Sequence, residues 1–146
     1  INIGTSVLIP DTYVADLDVR MALYRRLGAV ETEEEIDAFG AELVDRFGAM
    51  PSEVEHLLEI VAIKTICRMA GVSKIDAGPK GAVVSFRNDQ FVNPAGLIEF
   101  ISTSLYDMKV RPDQKLVFRQ DWPGEKMRLK GARRAASIIA EIAAEA

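Results

Sequence analysis

Val72-Ser73-Lys74-Ile75-Asp76-Ala77-Gly78-Pro79-Lys80-Gly81-Ala82-Val83-Val84-Ser85-Phe86 is the stretch that decides the class of fold. Its second half is rich in β-branched and aromatic side chains, which suit a pleated, half-buried surface, and Gly-Pro-Lys-Gly at its centre supplies turn chemistry. The pattern predicts a hairpin. A lone hairpin is at best marginally stable in water, so it needs helices or further strands against it, and both can be read on either side.

Upstream, Val54, Leu57, Leu58, Val61, Ile66 and Met69 mark the apolar side of a helix that ends at Gly71. Pro51 suits its first turn, and Ser52 with Glu55 offers a capping box. Thr32 with Glu35 offers another, opening a helix whose inward stripe is Ile36, Phe39, Leu43 and Phe47 and whose end is Gly48; Gly40 interrupts it. Val19, Leu23, Leu27 and Val30 recur at helical spacing from Asp18 onward. Residues 1–16 contain Pro10 within an apolar run and read as an extended N-terminal arm. Downstream, Asn93-Pro94 is an N-cap followed by proline at the first helical position, leading into Leu97, Ile98, Ile101 and Leu105. Met108–Val110 and Leu116–Phe118 are short strands about a turn at Arg111-Pro112-Asp113. A last, Ala-rich helix runs from Glu125, with Leu129, Ala136, Ile139 and Ala143 facing inward. The expected fold is α+β: one compact domain, 1–146, of about five helices packed with a small sheet of short strands.

Length and composition agree with one hydrophobic core, since 146 residues that are 49% hydrophobic and 27% charged can offset the entropy of folding. The chain opens on Ile1 with no charged-then-apolar leader and reads as a piece of something longer. Its apolar runs are broken well short of the ~20 residues that span a bilayer, and the lone Cys67 has no partner for an internal disulfide. Both facts suit a reducing cytoplasm and predict no membrane partner.

Catalytic groups are missing from the pattern. The only imidazole, His56, stands beside Glu55 in an acidic helix start and reads as a solvated histidine, while Cys67 reads as a small core residue. One Cys and one His cannot supply the usual zinc set, so neither metal nor cofactor is expected. Glu33-Glu34-Glu35 point in different directions from a helix and serve as surface and dipole support. Gly78-Pro79-Lys80-Gly81 lacks the phosphate-loop pattern. The chain is therefore not expected to be an enzyme.

Charge is unevenly placed. Glu31 to Glu59 holds ten acids against Arg46 alone, a net −9, whereas Asp107 to Arg134 holds nine bases against four acids, a net +5. The acidic run reads either as a solvated helix face or as a surface that steers a cationic partner. Lys126, Lys130, Arg133 and Arg134 cluster on the last helix just after Trp122, and this basic face is the alternative functional reading, a nucleic-acid-contacting accessory module. Against it stand a pI of about 5.1 and the absence of any recognised reader motif, so DNA contact is not the expected role of this domain alone.

Several segments in order carry a resemblance: Leu8-Ile9-Pro10 with Tyr13-Val14 and Asp16, then Arg20-Met21 with Leu23-Tyr24-Arg25-Arg26, then Glu42-Leu43-Val44-Asp45-Arg46-Phe47-Gly48 with Pro51, then Asn93-Pro94 and Lys115-Leu116. From about Leu8 to its end the chain resembles the C-terminal domain, or TRCF domain, of bacterial transcription-repair coupling factors, ATP-dependent DNA translocases that link stalled RNA polymerase to nucleotide-excision repair. The resemblance implies a regulatory, autoinhibitory domain with no active site. In that family it packs on a UvrB-like N-terminal module of the same parent and masks the surface that recruits UvrA, until engagement of RNA polymerase releases it. The family's acidic contact residues fall on Glu42 and Asp45, facing arginines of the UvrB-like module. Residues three apart share a helix face, so the two carboxylates can act together; the rival reading pairs Glu42 with Arg46 one turn on. Arg20, Tyr24 and Arg25 lie in a matching block and read as packing residues or as partner contacts.

Overall fold

The computed structural model describes residues 8–146, so residues 1–7 of the expected arm lie outside the described residues. Within the described residues, five α-helices and one four-stranded antiparallel sheet make the α+β fold that the sequence predicts. The chain divides into two compact units, one within Thr5–Thr65 and one within Ile66–Ala146, with the boundary inside a helix.

The first unit holds α1 (Leu17–Gly28), α2 (Glu33–Phe47) and the greater part of α3 (Ser52–Ala70). α1 starts where the Asp16 carboxylate accepts from Val19 N–H, and α2 where the Thr32 hydroxyl accepts from Glu35 N–H, the N-cap geometry that satisfies orphan donors. α2 runs unbroken through Gly40. A Cβ there would meet Leu58 Cδ1 of α3 at 3.3 Å, so the glycine allows the two helices to approach closely. The capping box expected at Ser52 and Glu55 does not form, because Ser52 is already helical and its hydroxyl donates to Glu53. Pro51 stands just outside, its carbonyl accepting from Val54 and Glu55 N–H. Leu23, Leu27, Ile36, Phe39, Leu43 and Val54 form the core, joined by Ile9 and Val14 from the segment before α1. That segment turns at Pro10, whose carbonyl accepts from Tyr13 and Val14 N–H.

The second unit is built on β1 (Val72–Gly78), β2 (Gly81–Phe86), β3 (Asp107–Val110) and β4 (Leu116–Arg119), ordered β1-β2-β4-β3. The hairpin closes at Gly78↔Gly81 across Pro79-Lys80. Gly81 has φ +124° and an added Cβ would strike the Phe118 carbonyl, so only glycine fits that corner. Ile75, Val84, Leu116, Phe118 and Met108 are buried from all four strands. α5 (Glu125–Ala144) packs against β1 and β2, and α4 (Pro94–Thr103) against α5 and β3. The alanines of α5 are core: Ala132, Ala135 and Ala136 are buried with Ile138, Ile139 and Ile142. Ile142 takes the inward place expected of Ala143, which is half-buried. Gly131 of α5 lies directly under the buried Trp122 indole, where a Cβ would overlap the ring.

Three further apolar expectations fail. Met69 is 76% exposed, because Cys67 and Ala70 hold the inward face of the last α3 turn. Ile98 is exposed because Leu97 takes the core position, and Leu105 is exposed because α4 has ended at Thr103 and helical spacing no longer governs it.

Candidate interaction site

The candidate site lies on α2 in the first unit. With Ile36, Phe39 and Leu43 turned inward, the helix leaves Glu34, Glu35, Ala38, Ala41 and Asp45 exposed and Glu42 half-buried. Glu42 is the most heavily bonded side chain of this face. Arg26 of α1 grips it with two parallel bonds, Nη1 donating to Oε2 at 2.7 Å and Nη2 to Oε1 at 2.8 Å. Arg46, one turn along α2, donates Nη1 to Oε2 at 3.0 Å. Both guanidiniums are steadied on aromatic rings, Arg26 5.1 Å from the centroid of Phe39 and Arg46 4.9 Å from that of Phe47. These bonds, Arg26 first and Arg46 second, hold the Glu42 carboxyl at about 2, far below the ordinary carboxylate range. A groove of about 350 Å³ runs beside the cluster, lined by Arg26, Val30, Glu35, Phe39 and Glu42 among others. Asp45 differs. It is exposed and makes no hydrogen bond or ion pair with the described residues.

Arg46 thus pairs with Glu42 as the one-turn spacing suggested, while Arg26 was not singled out as its partner. Sixteen residues and a loop separate Arg26 from Glu42, so no periodicity within one helix reveals that contact. Arg20 and Tyr24 secure the segment before α1. Arg20 Nη1 donates to the Val14 carbonyl at 2.7 Å and the Ala15 carbonyl at 3.1 Å, and the Tyr24 hydroxyl accepts from Ile9 N–H at 2.7 Å. Tyr13, which sequence reasoning gave no role, donates its hydroxyl to the carbonyls of Gly48 and Leu43, tying the same segment to the end of α2. Arg25 is exposed.

The basic face of α5 belongs to the second unit. Lys126 and Lys130 are exposed, Arg134 Nε donates to the Tyr106 hydroxyl at 3.2 Å, and Arg133 is half-buried with a partner of its own. Cys67 is buried, and desolvation pushes its thiol up to about 11, so it is protonated and a poor nucleophile at neutral pH. His56 is half-buried just beyond the first turn of α3 and has a partner of its own. Among the described residues no three His, Cys, Asp or Glu side chains are grouped to hold a metal ion, and no helix is long and apolar enough to cross a membrane. What the α2 face offers is charge on a rigid helix, suited to meeting a cationic surface.

Comparison with known proteins places these features in context. A model of the TRCF domain family matches residues 3–97. A transcription-repair-coupling factor of Rickettsia bellii is 40% identical over 119 residues, covering 81% of this chain and 10% of that protein. The Escherichia coli transcription-repair-coupling factor is 31% identical over 126 residues, 86% of this chain and 11% of that protein. The chain therefore spans about a tenth of the length of these relatives. A crystal structure of the C-terminal domain of a transcription-repair coupling factor superposes with a TM-score of 0.81 at 20% identity, covering 99% of this chain and 92% of the other, which is a likeness of fold.

Proposed function

The chain belongs to the TRCF domain of bacterial transcription-repair-coupling factors, and from that premise we propose that it is the parent's removable cover, an autoinhibitory domain whose α2 face docks on the UvrB-like module and masks the surface that recruits UvrA. The observation that supports this most is the α2 face itself: Glu42 and Asp45 stand beside the small exposed side chains of Ala38 and Ala41, which let a partner surface come close to the carboxylates. Arginines of the UvrB-like module are the natural counterparts, because guanidinium and carboxylate meet through charge-assisted, often bidentate bonds. Contacts of this kind at a solvated rim are modest and salt-sensitive, which suits a restraint that must open when the parent engages RNA polymerase. The role needs no metal or cofactor, and a cytoplasmic setting accords with it.

Calorimetric titration of this domain into the UvrB-like module at two salt concentrations tests the reading. Binding should weaken as salt rises and be lost when Asp45→Arg is combined with Glu42→Arg. Docking that is unchanged by the double reversal, whether between separate pieces or in a covalently linked pair where tethering raises the effective concentration, would remove α2 from the interface.

A further inference from the structure

We propose that Arg26 and Arg46 are an internal competitor for the docking carboxylate, so that this domain carries its own release device. The inference rests on the reading that Glu42 meets guanidinium groups of the UvrB-like module. A carboxylate offers about four lone-pair sites, two on each oxygen. Three are filled here: Oε2 accepts from both Arg26 and Arg46, and Oε1 accepts from Arg26. An incoming guanidinium fork needs one site on each oxygen. Oε2 has none left, so a bidentate contact to Glu42 forms only when Arg26 or Arg46 lets go.

The two arginines can do so at little cost. Their side chains are 49% and 44% exposed, so either can leave Glu42 for water without burying an unpaired charge. When the partner withdraws, both guanidiniums return to Glu42 from positions already set by the rings of Phe39 and Phe47. Asp45 has no such competitor and is the first carboxylate open to an approaching cation. Docking then proceeds in order: Asp45 steers, and Glu42 is exchanged from its intradomain arginines to those of the partner.

The test uses the full-length parent and reads its affinity for UvrA, which falls as the cover closes more tightly. Arg26→Ala and Arg46→Ala, each removing an exposed ion pair, should each lower that affinity about two- to fivefold, the range of such pairs. Arg25→Ala, on the same helix as Arg26 but not bonded to Glu42, is the control for net charge and should have little effect. In a Glu42→Gln background, Arg26→Ala should change nothing further. If the two arginine variants raise UvrA affinity or leave it alone, or if Arg25→Ala matches them, Arg26 and Arg46 are supports for Glu42 or mere charges, and the competitor is refuted. The underlying reading fails separately, by Asp45→Arg and Glu42→Gln both leaving UvrA affinity unchanged.

Discussion

Three N–H groups converge on the Glu42 carboxylate, and its titration records them. Its folded-state value lies at about 2, below the ordinary 4.5, with the Arg26 hydrogen bond the largest cause. A lowered folded-state value means that ionisation favours the folded form. The stabilisation is complete above about pH 4.5 and is lost as pH falls through about 2. Comparing wild type with Glu42→Gln by denaturant unfolding should therefore show a small deficit for the variant at neutral pH that closes as pH falls toward 2. Asp113, held at about 2 by Arg111, titrates in the same window in both proteins and cancels in the difference. A deficit that persists unchanged to pH 2 would mean that the carboxylate's charge is not what holds the arginines. At this scale the sequence is half legible: Arg46 can be read from Glu42 by helical spacing, whereas Arg26 reaches it across a loop and only tertiary packing brings them together.

Elements begin where local chemistry tells them to. Asp16, Thr32 and Asn93 are all N-caps, each satisfying the donor three residues on; Thr32 and Asn93 are read from the sequence because capping is local, whereas Asp16 is not, the first helix being read from Asp18. Asn93 does more. Its Oδ1 accepts from Gly96 N–H at 3.1 Å while its Nδ2 donates to the Ile142 carbonyl of α5 at 3.0 Å, pinning the start of α4 to the last turns of the final helix. Asn93→Asp keeps the cap but loses the donor, and Asn93→Ala loses both. Thermal or denaturant unfolding should rank them wild type, Asp, Ala, with the alanine variant down by about 1–2 kcal/mol. Equal stability of the aspartate variant and wild type would show that the tie to α5 contributes nothing. The hairpin, all five helices and both short strands are legible for the same local reasons. The strand order β1-β2-β4-β3 is not, because β4 is only four residues long and its pairing with β2 joins segments distant in the chain. Met69 and Ile98 mislead for a related reason: apolar spacing says which residues would share a face, not which face the fold covers.

Across the whole molecule, charge and architecture divide alike. The acidic segment Glu31 to Glu59 falls in the first unit and the basic segment Asp107 to Arg134 in the second. The candidate docking face is therefore built on a helical unit with its own core, on a helix held by Thr32 at its start and by the Tyr13 bond to Gly48 at its end. Rigid presentation of a few modest charges yields a contact that is specific yet easily broken, as a cover requires. Asp45→Arg is the cleanest perturbation of it, because Asp45 makes no bond with the described residues and its reversal leaves the Arg26–Glu42–Arg46 cluster intact. The measurement that bears most directly on the central claim is the affinity of the full-length parent for UvrA, compared among wild type, Asp45→Arg and a parent lacking this domain. Removal of the domain should raise that affinity and Asp45→Arg should move it most of the way to the same value; a parent whose UvrA affinity is indifferent to both changes would contradict the account.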